Sequence, residues 1–241
     1  MDAIRPERNA AFPPSGVGLR WIGALFLVHF ALLAALKIGR GLSGEVLWIS
    51  HAGLLLGGFG MLLSSRTLVA TAFTAVAALH AAWMVDALGG VVFGWFPLGL
   101  TTYLLDADPL AIAATSHHLY LAPMLGWLLL REGGFPVSSC VGALALIIVV
   151  TALSRAAVSP SLNVNFAHAV LPASTAEAFV WFNRQPAWIY LPIHAAVCFA
   201  GAFVPAAVAM RLLIGIRTRF TPLLESSRNA FQSESSRIHA H

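Results

Sequence analysis

The chain alternates long apolar runs with short polar breaks, and the runs have the length of membrane-spanning helices. A helix needs about 20 predominantly apolar residues to cross the hydrocarbon core of a bilayer. Six runs approach or exceed this length, and they cover residues 18–38, 46–64, 67–85, 110–130, 137–153 and 187–214. The pattern therefore predicts an all-α fold, a polytopic helical membrane bundle with six transmembrane helices.

A further apolar stretch, residues 89–105, is broken by Gly94, Pro97 and Gly99. Irregular backbone at membrane depth is tolerated where neighbouring protein or a water-filled cavity satisfies its polar groups. We interpret this stretch as a re-entrant or interfacial loop. The alternative is a seventh span, which would reverse the direction of the last helix.

Composition excludes a water-soluble globule. Of the 241 residues, 59% are hydrophobic and 10% are charged, whereas soluble domains carry roughly 25% charged residues. The 14 Lys and Arg residues form no basic patch, which indicates a lipid bilayer as the partner and no nucleic acid. Cys140 and Cys198 lie in apolar runs, which favours small core residues over a disulfide. The oligomeric state stays open.

The distribution of Lys and Arg between the loops predicts the orientation, because cytoplasmic loops carry an excess of these residues. With the N-terminus inside, ten of the 14 fall on the cytoplasmic side. Both termini are therefore expected in the cytoplasm, for a protein of the bacterial inner (plasma) membrane. Residues 1–17 would form a cytoplasmic tail, 18–216 the membrane domain, and 217–241 a disordered cytoplasmic tail. In the long outer loop, Ser174 is expected to cap a short interfacial helix.

Histidines within the apolar runs fall at a similar depth in this topology. His51 and His80 lie in the outer third of their spans, and His117 and His118 lie about 10–12 Å below the outer end of theirs. His194 lies at about the same level, whereas the inner halves of these spans hold almost nothing titratable. Because ionisable groups in membranes usually face the bundle interior or a water-filled cavity, we predict a polar cup open to the outer face.

The two adjacent histidines point about 100° apart on a continuous helix, so both cannot face one site well. We prefer His118 as the functional member. His118 and His194 can equally be core groups that bond to nearby backbone or side chains. The candidate metal ligands are His51, His80, His118 and His194.

Three other polar residues are candidates for catalysis. Asp86 ends the third span and is either a carboxylate in interfacial water or an acid that orients a histidine. Asn163 and Asn165 would point the same way if their segment is extended. They are either turn caps or donors that polarise a carbonyl group.

Five short motifs stand at these positions, namely Trp83-Met84-Val85-Asp86, Gly99-Leu100-Thr101-Thr102-Tyr103, Ser116-His117-His118, Ser159-Pro160-Ser161-Leu162-Asn163-Val164-Asn165-Phe166 and Tyr190-Leu191-Pro192-Ile193-His194. Through them the chain resembles, over residues 45–194, a family of uncharacterised bacterial multi-pass membrane proteins. The resemblance implies functional positions at Asp86, Asn163, Asn165 and His194, and one at either histidine of the pair. It implies no activity.

Three functions follow from these residues. The first is an intramembrane hydrolase or acyl transferase for a lipid-like substrate, with His118 and His194 as bases or ligands of a metal such as zinc. In that case Asp86 orients a histidine, and Asn163 and Asn165 polarise the substrate. The second is a haem-binding redox protein with two histidines as axial ligands. The third is a non-catalytic scaffold, assembly factor or solute carrier.

Overall fold

The computed structural model describes residues 17–170 and 176–220, and every regular element in these two ranges is helical. The helices are α1 (Val17–Gly39), α2 (Ile49–Leu62), α3 (Arg66–Phe93), α4 (Pro109–Thr115), α5 (His117–Glu132), α6 (Ser138–Ala157), α7 (Glu177–Asn183) and α8 (Ala187–Cys198). After α8 the chain passes through a π turn at Phe199–Phe203 and continues as helix to Phe220. The all-α prediction is confirmed.

Within the described ranges, four helices are long and apolar enough to cross a membrane, namely α1, α3, α6 and α8 with its continuation. Large apolar side chains are exposed on them, for example Leu32 at 67% and Val141 at 66%. Such a surface is expected of helices that face lipid. The other two predicted spans are shorter, because α2 has 14 residues and α5 has 16.

The third predicted span is longer than expected, because α3 continues to Phe93. Gly94 ends the helix with φ 66°, and residues 94–101 fold back along the helix end. This return requires Gly90, where a Cβ atom would lie 2.1 Å from the ring of Phe96. Residues 94–101 form a loop, and the alternative of a seventh span over residues 89–105 is wrong.

The fourth predicted span is divided into two helices. Asp108 caps α4 by accepting hydrogen bonds from the backbone N–H groups of Leu110 at 2.9 Å and Ala111 at 3.0 Å. α4 ends at Thr115 and α5 begins at His117. Both adjacent histidines therefore lie in the first turn of α5.

The bundle is centred on α2 and α3, which pack against each other and against α1, α5 and α6. The close crossing of α1 and α2 depends on small residues, since a Cβ atom on Gly23 would lie 2.8 Å from the backbone oxygen of Gly58. Leu54, Val76 and Leu121, each 0% exposed, fill the core between α2, α3 and α5. Histidines lie one turn from each of these three residues on the same helix faces.

The segment after α6 is not extended. Asn163, Asn165 and Phe166 have φ values of 41°, 56° and 54°, in the left-handed region that asparagine tolerates better than most residues. The prediction that the two asparagine side chains point the same way is therefore wrong, because it assumed alternation along an extended strand.

The loop between α6 and α8 contains the short helix α7, and its Trp181 is 58% exposed. Ser174, the expected N-cap, lies outside the described residues. The final helix reaches Phe220 and so includes residues 217–220, which the sequence had assigned to a tail. The rest of both predicted tails lies outside the described residues.

Candidate metal centre and cavity

Five histidine rings from α1, α2, α3 and α5 pack into one cluster, and they are His29, His51, His80, His117 and His118. The ring of His117 is central, with its centroid 4.2–5.8 Å from those of the other four. His117 is 0% exposed, His80 1% and His51 5%. We call this group the histidine cluster.

Three members of the histidine cluster have the geometry of a metal centre. One ring nitrogen each from His80, His117 and His118 lies within 4.8 Å of the other two. Ligand nitrogens at about 2.0–2.1 Å from one zinc ion lie at most about 4 Å apart. Small side-chain rotations would therefore bring these three nitrogens onto one ion.

Backbone carbonyl groups fix the tautomers of the two adjacent histidines. Nδ1 of His117 lies 2.9 Å from the backbone oxygen of Ala114, and Nδ1 of His118 lies 2.9 Å from that of Thr115. Because a carbonyl oxygen only accepts, each Nδ1 carries the hydrogen and each Nε2 keeps a lone pair. Metal-binding histidines commonly donate their second ring nitrogen to a carbonyl in this way.

Three members of the cluster, His51, His80 and His117, have ring nitrogens without protein partners among the described residues. Neither ring nitrogen of His80 has a hydrogen-bond partner in the described part of the chain, and the same holds for Nε2 of His117 and Nδ1 of His51. A buried polar atom left unpaired costs about 1–3 kcal/mol. Several such atoms in one place mark a candidate ligand site, since buried polar groups are otherwise nearly always paired.

Aromatic and hydroxyl groups hold the rings of the cluster in place. Trp83 stacks on His118 with centroids 4.6 Å apart and an interplanar angle of 19°. Its indole N–H donates to the Tyr103 hydroxyl at 3.1 Å, which lies 2.8 Å from the hydroxyl of Thr115. Rotation of His118 is therefore restricted from the side that faces the loop.

A cavity of about 490 Å³ lies beside the histidine cluster. Its wall is mainly apolar but includes His51, His80, His118, His194 and Asn165. His117 is absent from the wall, so its ring lies behind those that face the cavity.

The cavity reaches charged, partly exposed residues at one end. Lys37, Arg40 and Glu45 line it there, and Lys37 forms an ion pair with Glu45. Arg40 pairs with Asp108 at 2.7 Å. The hydrogen bond from Arg40 is the main cause that lowers the pKa of Asp108 to about 2. These charges give water and polar groups a route to the histidines.

His194 lies on the cavity wall and outside the group of three ring nitrogens. Its ring stacks on that of Tyr190 with centroids 5.8 Å apart, and its Nε2 lies 3.8 Å from Sγ of Cys198. Its Nδ1 has no hydrogen-bond partner among the described residues. All four candidate ligands therefore line one cavity, but only His80 and His118 belong to the group of three converging ring nitrogens.

Asp86 lies neither in interfacial water nor beside a histidine, the two environments expected from the sequence. It is 0% exposed, so the interpretation as a carboxylate in interfacial water is wrong. Its oxygens accept hydrogen bonds from the backbone N–H groups of Leu98, Gly99 and Thr101 at 2.5–3.0 Å and from the Thr101 hydroxyl at 2.8 Å. Among the described contacts none joins Asp86 to a histidine. The carboxylate holds the loop after α3 against the helix.

The two asparagines also bond to backbone. The Asn163 side chain bonds to the backbone of His168 and Ala169 and closes its own turn. The Asn165 amide accepts from the N–H of Ile49 at 2.7 Å and donates to the backbone oxygen of Leu47 at 2.7 Å. Asn165 reaches the cavity wall, but these bonds tie its amide to the start of α2.

Sequence reasoning gave His29 no role and ranked His117 below its neighbour. The preference for His118 over His117 is not supported, because both residues lie at the start of α5 and both rings enter the cluster with centroids 4.2 Å apart. His29 bonds through Nε2 to the backbone oxygen of Ala114 at 3.0 Å and accepts from the Tyr120 hydroxyl at 2.7 Å. Its position in the outer half of the first run was the only signal.

No family model matches the chain, and comparisons with curated proteins and with solved structures give no match. The suggested likeness to a family of uncharacterised membrane proteins stays a prediction. Any functional argument therefore depends on the histidine cluster and the cavity beside it.

Proposed function

We propose that this protein is a metal-dependent membrane enzyme, a hydrolase or acyl transferase, that acts on a lipid-like molecule held in the cavity. One observation carries the proposal: ring nitrogens of two buried histidines, His80 and His117, and of the half-buried His118 converge within 4.8 Å beside a mainly apolar cavity. The unpaired nitrogens of His80 support it further, because metal coordination would satisfy one of them.

Zinc is the metal that this set of ligands suits best. Catalytic zinc sites commonly use three protein ligands and leave the fourth position open, and an all-histidine set is one of the known forms. When bound, such an ion lowers the pKa of a coordinated water to about 7 and polarises carbonyl oxygens. His80 and His118 line the cavity, so the open position would face a bound molecule.

The cavity suits an amphiphilic substrate. Its walls carry apolar side chains such as Leu33, Val76 and Ile147, which can pack against an acyl chain. Lys37 and Arg40 at the charged end are placed to contact a polar head group. The same end admits the water or alcohol that a hydrolase or acyl transferase needs.

The six-span topology belongs to this proposal. α2 is about 21 Å long at 1.5 Å per residue, but nine of its 14 residues are buried, so neighbouring protein would surround it within the bilayer. α4 and α5 would together form the fourth span, with the break at Ser116. Both termini would then be cytoplasmic, in the inner membrane of a bacterium, and the cavity would open on the outer side.

The histidine cluster fits a haem poorly. Two axial histidines must approach the iron from opposite faces of a porphyrin, whereas the cluster's rings pack directly against one another at 4.2–5.8 Å. Haem is therefore retained only as an outcome of the test. A scaffold with histidines as interhelical bonds is the other outcome.

The test is the metal content of the full-length protein purified in detergent, measured by elemental mass spectrometry with an absorption spectrum. We expect near-stoichiometric zinc in the wild type and its loss in His80→Ala, His117→Ala and His118→Ala. His168→Ala is the matched control, since His168 lies in the outer loop and bonds to the backbone oxygen of Val158.

Activity is then measured on a panel of ester and amide lipids with the same proteins. Loss in the three cluster variants and retention in the control are expected, with thermal unfolding used to confirm the fold. A wild type without metal, or variants that keep it, would refute the metal centre. Iron with a Soret band would replace the proposal by a haem protein.

A further inference from the structure

A thiol and an imidazole form a second reactive pair on the wall of the same cavity. Cys198 and His194 are four residues apart on α8 and therefore share a helix face. Sγ of Cys198 lies 3.8 Å from Nε2 of His194, and both residues line the cavity. The pair is separate from the group formed by the other histidines.

His194 is a buried side chain with one unpaired ring nitrogen on the wall of the cavity. The side chain is 4% exposed, and its Nδ1 has no hydrogen-bond partner among the described residues. The ring of Tyr190 stacks on it at an interplanar angle of 9°. Tyr190 is itself fixed, because its hydroxyl donates to the backbone oxygen of Phe166 and the Arg155 guanidinium lies 4.9 Å from its ring centroid.

Cys140 shows what a purely structural cysteine looks like in this chain. Both cysteines are free and half-buried. Both pack against the core, but the contacts of the described residues give Cys140 neither a histidine partner nor a place on the cavity wall. Cys198 also immediately precedes the π turn Phe199–Phe203, a local widening that is frequent at functional sites.

We propose that Cys198 is an acyl acceptor and that His194 is its general base. Cys–His pairs activate the thiol for attack on carbonyl groups. An apolar wall disfavours a free thiolate, so the proton leaves Sγ for Nε2 of His194 as the bond to carbon forms. This inference rests on the proposed function for its substrate class, an ester with a long acyl chain.

The step balances without an oxidant or reductant. Sγ of Cys198 bonds to the carbonyl carbon, the carbon–oxygen bond of the ester breaks, and the leaving alkoxide takes the proton held by His194. The product is a thioester on Cys198 and a free alcohol. Water or a second alcohol in the cavity then attacks the thioester and restores the thiol, giving hydrolysis or acyl transfer.

The test incubates the purified full-length protein with p-nitrophenyl decanoate and maps acylated peptides by mass spectrometry. We expect one decanoyl group on Cys198 that neutral hydroxylamine removes. Cys140→Ser should keep this modification and Cys198→Ser should lose it. His194→Gln should slow acylation at least tenfold, whereas a core role for His194 predicts no such change in a folded variant.

A comparison within the wild type needs no substitution. Its two cysteines are labelled with decanoyl ester and with iodoacetamide, and only the ester should favour Cys198 over Cys140. Equal acylation of both cysteines, or an unchanged rate in folded His194→Gln, would overturn the proposal. Metal analysis of the same samples separates the two proposals. Bound zinc without acylation would refute the role of Cys198, and acylation without bound zinc would refute the metal centre.

Discussion

Replacing Asp86 by alanine separates a role in holding the loop from a role in orienting a histidine. The wild-type carboxylate is 0% exposed and accepts from three backbone N–H groups and one hydroxyl, all on residues 98–101. Each donor left unpaired in a buried place costs about 1–3 kcal/mol. The loop can swing partly into water, which keeps the loss near the lower end, about 3 kcal/mol in total.

The assay combines thermal unfolding with hydrogen exchange of the peptide that contains residues 98–101. Asp86→Ala should lower the melting temperature and remove the protection of these amides, while zinc stays bound. Asp106→Ala is the control, because Asp106 is exposed and a surface change of this kind costs no more than about 0.5 kcal/mol. Zinc loss with unchanged amide protection would show that Asp86 acts on a histidine and would refute this reasoning.

Two further predictions concern the ion pair at the charged end of the cavity and the crossing of α1 and α2. Arg40 lowers the pKa of Asp108 to about 2, so the carboxylate adds stability that is complete above the unfolded pKa of about 4 and disappears as the pH falls through about 2. Stability curves of wild type and Asp108→Asn should therefore converge in acid, and parallel curves would contradict this. Gly23→Ala places a Cβ atom 2.8 Å from the Gly58 backbone oxygen and should cost about 1–3 kcal/mol in denaturant unfolding. Gly18→Ala, with no atom within 4 Å, should be nearly neutral.

Hydrophobic run length was sufficient to predict the helical fold but not the helix ends. Four predicted spans correspond to long apolar helices, because burial in lipid requires the same apolar run whatever the neighbours are. The run over residues 110–130 was read as one helix, although Thr115, Ser116, His117 and His118 form a polar interruption at the place where the structure breaks it. The fold-back of residues 94–101 depends on Asp86, whose partners lie 12–15 residues further along the chain.

For the candidate site, the position of a residue along its apolar run was a useful guide. The inferred direction of its side chain was not. Placing His51, His80, His118 and His194 at one level used only distance from the helix ends, and all four line one cavity. Ranking His118 above His117 used side-chain direction, whereas both rings lie in the cluster with centroids 4.2 Å apart. The asparagines failed for the same reason, because their direction was inferred from an extended conformation that the left-handed backbone does not have.

The contrast between two members of the cluster favours the proposed metal centre over a purely structural role for the histidines. A histidine that merely joins helices should have both ring nitrogens paired, and His29 meets this condition through Ala114 and Tyr120. His80 is 1% exposed and has neither nitrogen paired within the described chain. At about 1–3 kcal/mol for each unpaired atom, an apolar side chain at this position would pack at lower cost. Interhelical bonding therefore accounts for His29 but not for His80, whereas the proposed metal ion, shared with His117 and His118, would pair one ring nitrogen of His80.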